Sequence, residues 1–209
     1  MSEIKTLIAI PCMDMVAAPF AYSLARMRRV GLTKLSMMSN SLVHMARNML
    51  AAEAVDTDCD RVLWLDSDIQ FTPDLMEKLS AHMDDGLDYV SGLVFKRRFP
   101  TVPILFSRLD EEGADVYTEY PRDRLFPVAG SGFGAVMTST KMLREVFETF
   151  GSPFNLLGVH GEDASFCIRA QNLGYKLYCD SRIKVGHCGQ FVFGEEYYLA
   201  QNTREASGG

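Results

Sequence analysis

The sequence predicts an α/β protein: a mixed, mainly parallel sheet flanked by helices, with a small antiparallel addition. Two observations carry this. Thr6–Ile10 and Val62–Leu65 are short apolar runs without polar alternation, as expected of strands buried on both faces. Each of the first three strand-like runs is followed by a segment of helical spacing, and such βα pairs in succession imply right-handed parallel crossovers.

Whole-chain composition narrows the class. The 209 residues are 47% hydrophobic and 23% charged, values of an ordinary globular chain, so disordered and collagen-like classes are excluded. No linker divides the sequence, which predicts one domain over 1–200 and a frayed polar tail over 201–209. A net charge of -6 argues against general nucleic-acid binding. The cysteines at 12, 59, 167, 179 and 188 include no Cys-x-x-Cys pair, and neither a signal peptide nor a long apolar span is evident. Reduced thiols, a cytoplasmic location and no membrane span are the expectation. Pairing of Cys179 with Cys188 across a hairpin is the alternative to buried thiols.

Taken in order, Thr6–Ile10 is the first strand, and Pro11 is expected to end it. A helix over Ala17–Arg29 closes on Arg28, Arg29 and Gly31. Leu35–Met38 is a short strand. Ser39-Asn40-Ser41 then offers caps to a helix whose apolar stripe is Leu42, Met45, Met49 and Ala52, with His44, Arg47 and Asn48 opposite. That polar stripe is either solvated or a phosphate or nucleobase contact. Val62–Leu65 is the central strand, and Thr72-Pro73 is expected to cap and open a helix reaching Met83. Tyr89–Phe95 is a further strand.

Between Lys96 and Val128 the pattern changes to short β-like pieces, Val102–Phe106 and Val116–Tyr120, with turns and prolines, and this is the antiparallel addition. Its Lys96-Arg97-Arg98 triplet is the most basic point of the chain: a protective charged edge, or a contact for an anionic substrate. Val128–Met137 holds three glycines in an apolar run, which calls for a bulge or a close approach to the backbone. It is no dinucleotide fingerprint, because that spacing follows a first strand. A helix over 140–150 comes next. Another starts at Glu162-Asp163 and ends at Gly174, then Tyr175–Cys179 and Ile183–His187 read as strands. The aromatic stretch Gln190–Tyr198 is either core filling or a lid.

Two acidic clusters carry the chemistry. Asp66 and Asp68 close the central strand, at the sheet edge where open α/β proteins bind ligands. Two carboxylates one residue apart repel unless a positive charge lies between them, so a hard divalent cation is the natural occupant. Helix capping would explain the acids without function, but Thr72 already fills that role. Glu162 and Asp163 lie in a first helical turn, where the dipole alone favours acids. His187 alone reads as a structural histidine.

The ordered set of an apolar strand ending in Pro11, the Arg47-Asn48 helix, a strand ending in Asp66-Ser67-Asp68, the glycine-rich run, the Gly161-Glu162-Asp163 helix and Gly186-His187 resembles the GT-A nucleotide-sugar glycosyltransferases. The family 2 enzymes are the nearest of these, and the resemblance covers residues 4 to about 190. It implies a Rossmann-like GT-A fold and transfer of a sugar from a UDP- or GDP-sugar to a hydroxyl acceptor on a glycan, protein or small molecule. It also implies Mn²⁺ or Mg²⁺ held by Asp68, with Asp66 nearer the ribose and metal waters, and His187 as a further ligand. Pro11, Asp14 and Arg47 would face the nucleotide with Ser67, Gly132 would let sugar or acceptor approach, and Arg97 would meet anionic substrate. Asp163 takes the place of the catalytic base, with Glu162 beside it. A cation neutralises the departing diphosphate, while a carboxylate on the opposite face deprotonates the incoming hydroxyl and inverts the sugar carbon. The Glu-Asp element also occurs in retaining GT-A families, to which Tyr178–His187 is similar, so both stereochemical outcomes stay open.

Two other readings compete. Haloacid-dehalogenase-like phosphatases also carry Asp-x-Asp after an apolar strand, but want Thr or Val where Gln70 stands. A non-catalytic binding protein of the same fold would not need both acidic clusters.

Overall fold

Arg61–Leu65 forms β3, every residue of which is buried. Around it the computed structural model, which describes residues 3–57, 59–98 and 100–189, builds the following elements. The first half contains β1 (Lys5–Cys12), α1 (Ala18–Arg26), β2 (Leu32–Ser39), α2 (Val43–Asp56), then β3, β4 (Ile69–Gln70), α3 (Leu75–Asp84) and β5 (Tyr89–Leu93). The second contains β6 (Leu105–Asp110), β7 (Gly113–Val116), β8 (Leu125–Val128), β9 (Gly130–Ser131), β10 (Ala135–Ser139), α4 (Thr140–Phe150), α5 (Glu162–Asn172), β11 (Leu177–Lys184) and β12 (Gly186–His187).

Seven strands make one sheet in the order β2-β1-β3-β10-β5-β11-β8. β2, β1 and β3 are parallel, as are β5 and β11, while β10 runs antiparallel between β3 and β5 and β8 antiparallel to β11. The predicted antiparallel addition is the three-stranded β7-β6-β9 sheet. One apolar cluster packs α2, α4 and α5 on one face, and a second packs α1 and α3 on the other. Trp64 is fully buried on β3. It packs edge-on against Phe133 and Phe154, and its indole N–H donates to Thr138 Oγ1 at 3.0 Å. Among the described residues no helix is long and apolar enough to cross a membrane.

Several expectations are corrected. Pro11 does not end the first strand, because β3 pairs with β1 only along Thr6–Ala9, while β2 follows β1 through Pro11 and Cys12. With one side of the strand unpaired there, the missing N–H breaks no ladder. α2 is turned about its axis relative to the expected stripe. Ala46, Arg47, Leu50, Ala51 and Ala54 are buried, whereas Leu42, Met45 and Met49 are about half exposed. Alanines let the helix lie closer to the sheet than methionines would, and Arg47 finds carboxylates beneath it. Thr72 caps nothing: Asp74 precedes α3, and the Thr72 hydroxyl donates to that carboxylate instead. Tyr175–His187 is no hairpin, since β11 runs straight through with a bulge after Asp180. Cys179 and Cys188 are free thiols, as are the other three. The stretch Gln190–Tyr198 and the 201–209 tail lie outside the described residues.

Candidate functional site

The two short strands β4 and β12 position the first cluster. Ile69 pairs with His187, and the Cys188 N–H donates to the Asp68 carbonyl at 2.7 Å, so the chain after β11 is stitched to the turn after β3. His187 Nε2 consequently lies 3.4 Å from Asp68 Oδ1. The other ring nitrogen, Nδ1, lies 2.9 Å from the Phe95 carbonyl. A carbonyl only accepts, so Nδ1 carries a proton, and Asp68 beside Nε2 raises the imidazole above its usual range against the effect of its partial burial. Arg97 reaches the remaining Asp68 oxygen, Oδ2, at 2.6 Å. Burial works against the charge on Asp68, but His187 and Arg97 hold its carboxyl below the usual range.

Arg47 joins the two acidic clusters. Its side chain is almost wholly buried, with Nη2 at 2.8 Å from Asp66 Oδ1 and 3.3 Å from Asp163 Oδ1, and Nε at 3.6 Å from Glu162 Oε1. The guanidinium lies over the Phe133 and Phe154 rings, at 5.3 and 5.9 Å from their centroids. Burial alone would lower its pKa, yet Asp66, Asp163 and Glu162 together raise it. One cation thus compensates three acids from two distant segments, and Arg47 serves them rather than an open solvated face.

Asp163 enters from the first turn of α5, where the Phe133 N–H donates to its Oδ2 at 3.1 Å. Its Oδ1 is shielded and has no hydrogen-bond donor among the described residues, although Arg47 is near. Burial pushes the Asp163 carboxyl up to about 7, with Glu162 and Asp66 adding to the shift and Arg47 opposing it. A base titrating near neutrality is suited to taking a proton from a hydroxyl. The glycines are explained by close packing around this point. A Cβ on Gly132 would stand 2.8 Å from Ile104 Cγ2 and 3.6 Å from Asp163 Oδ2, and one on Gly130 would stand 2.7 Å from Leu109 Cδ2. Gly132→Ala is therefore expected to destabilise the fold by about 1–3 kcal/mol, measurable as a lower denaturation midpoint. An unchanged midpoint would mean that Ile104 yields freely.

These groups share one cleft of about 400 Å³. Of the residues singled out in the sequence, Pro11, Asp66, Ser67 and Asp68 line it together with Arg97 and His187, and so do Arg47, Gly132, Glu162 and Asp163. Asp14 is exposed and not part of the cleft wall. Asn40, Ser41, Val94, Ile104 and Phe133 also line it. Asn40 and Ser41 looked like caps, and Asn40 does accept from the Leu42 N–H at 2.9 Å. The apolar members carried no signal beyond ordinary strand propensity.

Among the described residues, no three His, Cys, Asp or Glu side chains converge on one point. Asp68 and His187 do converge as a pair, and a carboxylate oxygen beside an imidazole nitrogen suits Mn²⁺ or Mg²⁺ whose remaining ligands come from diphosphate and water. Asp66 directs Oδ1 to Arg47.

No family model matches the chain, and no curated protein does. Solved structures do. The crystal structure of A197 from STIV aligns over 90% of this chain and 87% of its own, with a TM-score of 0.68 and 21% identity. The crystal structure of GalNAc-T7 with UDP, GalNAc and Mn²⁺ aligns over 90% of this chain and 44% of its own, with a TM-score of 0.63 and 11% identity. The mixed seven-stranded sheet, its flanking helices and the small antiparallel sheet are those of the GT-A fold.

Proposed function

We propose that the protein is a metal-dependent glycosyltransferase that moves a sugar from a nucleotide diphosphate sugar, a UDP-sugar first and a GDP-sugar next, to a hydroxyl acceptor. The observation that carries this reading is the meeting of both acidic clusters in one cleft, whose lining includes the Asp68–His187 pair and Asp163. The presence of UDP, GalNAc and Mn²⁺ in the GalNAc-T7 structure supports it.

Asp68 and His187 would hold the cation, which would supply neutralisation of the charge on a departing diphosphate. Pro11, Asn40 and Ser41, which also line the cleft, would bound the nucleotide. Asp163 accepts the proton of the acceptor hydroxyl, and the Phe133 N–H fixes the carboxyl while it does so. Attack from that face inverts the sugar carbon. Arg47, lying over the Phe133 ring, keeps the acids together.

A thermal-shift screen of nucleotide sugars tests the reading. A donor present at about a hundred times its Kd should stabilise the native state by about 2.7 kcal/mol, only with Mn²⁺ or Mg²⁺, and Asp68→Asn should abolish that dependence. Chelator-sensitive release of nucleoside diphosphate must accompany transfer. Release of inorganic phosphate from a phosphomonoester would favour the phosphatase instead, and binding without turnover a non-catalytic protein.

A further inference from the structure

The sheet order gathers at one rim of the cleft a set of cations that the sequence scatters. Arg97 lines the cleft, and Lys96 and Arg98 flank it just beyond the end of β5. The Phe95 ring meets Tyr120 edge to face at 6.2 Å, and the β5–β11–β8 pairing puts the loop carrying Arg122 and Arg124 at the same end of the sheet as that triplet. The same loop is tied to β11, where Arg124 N–H donates to Ser181 Oγ at 3.1 Å and Lys184 Nζ lies 3.8 Å from Asp123. Arg182 completes the group, its guanidinium forked onto Asp180.

The acids within these segments or in ion-pair range of them are Asp68, Glu119, Asp123 and Asp180; Asp68 is engaged by Arg97 at 2.6 Å, and Asp180 by Arg182 and by His82 at 2.7 Å. Arg98, Arg122 and Arg124 are exposed, with no carboxylate in ion-pair range among the described residues. This excess of positive charge stands in a chain whose net charge is -6. A randomly solvated surface would spread its cations as the rest of the chain does. Guanidiniums predominate here, and their planar forks match phosphoryl oxygens. The two nearby aromatic rings, Phe95 and Tyr120, meet edge to face and are partly buried against the core, a poor platform for stacked bases, which disfavours single-stranded nucleic acid.

We propose that this basic rim binds a phosphoryl group carried by the acceptor, and so selects phosphorylated acceptors. The acceptor assignment rests on the glycosyltransferase reading; the binding of phosphoryl groups does not. The shared chemistry has two sources, a soluble phosphorylated molecule or a phospholipid headgroup.

The test uses the full chain in chelator without donor. Inorganic tripolyphosphate is titrated by calorimetry, and vesicles of phosphatidylglycerol with phosphatidylcholine are compared with phosphatidylcholine alone by co-sedimentation. Binding to at least one anionic probe is expected, and R122S/R124S should weaken it roughly thirtyfold, at about fivefold for each removed cation. K141S/K176S removes equal charge from the far end of the sheet and should leave it unchanged. Vesicle binding would identify a lipid headgroup, and tripolyphosphate binding without vesicle binding a soluble acceptor. No binding to either probe, equal weakening by both double variants, or tighter binding to a single-stranded oligonucleotide of matched charge would overturn the proposal. An unchanged melting temperature shows that R122S/R124S folds. The donor and Mn²⁺ thermal shift, measured separately, tells a failure of this rim from a failure of the catalytic reading.

Discussion

Asp163→Asn is expected to lower sugar transfer by about 10²- to 10⁴-fold, the range for loss of a general base, while donor binding with Mn²⁺ stays close to wild type. Asparagine keeps an oxygen for the Phe133 N–H, so the loop position is preserved and the lost function is proton acceptance. The pH behaviour gives an independent check. The wild-type carboxyl sits near 7 when folded, against 3.8 as its ordinary value. Between those values the native state binds more protons than the unfolded state, so this group makes stability fall as pH rises from about 4 to about 7, with no further change above. Its catalytic form is the ionised one, so kcat/KM should rise through the same region. Asparagine should flatten the stability slope. A variant that transfers sugar at the wild-type rate would remove Asp163 from the role of base, and an unchanged stability slope would remove burial as the cause of its shift.

Arg47→Met should destabilise the protein by about 3–5 kcal/mol at pH 8, the range for breaking a buried ion pair by removing one partner. Methionine still covers the Phe133 and Phe154 rings but leaves Asp66, Glu162 and Asp163 near one another without a cation. Without Arg47, Asp163 loses the group that opposes its upward shift, so the neutral carboxyl is favoured further. The deficit should therefore shrink as pH is lowered toward 5. Denaturation midpoints at pH 8 and pH 5 measure this, and an equal deficit at both would mean that Arg47 acts through packing alone. Arg47→Lys should recover only part of the loss, since a single ammonium cannot span three carboxylates as a fork does.

The parts of the site that could be read along the chain are those whose cause is local. β3 is a fully buried apolar run, and its polar end falls where a buried strand must stop, which is why Asp66 and Asp68 stood out. The α4 bounds match because Ser139 caps the Met142 N–H and Gly151 ends the helix at a positive φ of 74°. α2 was misread for a non-local reason: apolar spacing ranks methionine above alanine, while the face that is buried follows from the Arg47 partners contributed by β3 and α5.

By itself the sequence determined the alternation of strand and helix and the positions of the two acidic clusters, because periodicity, caps and charge repulsion act over a few residues. Tertiary structure alone decided that β10 inserts antiparallel between β3 and β5, that the β4–β12 ribbon carries His187 to Asp68, and that Arg47 ties Asp66 to Asp163. It also placed Arg122, Arg124 and Arg182 at the same end of the sheet as Arg97. Each of these depends on pairing between segments far apart in the chain, where the energy of contact lies in the partner and not in the local pattern.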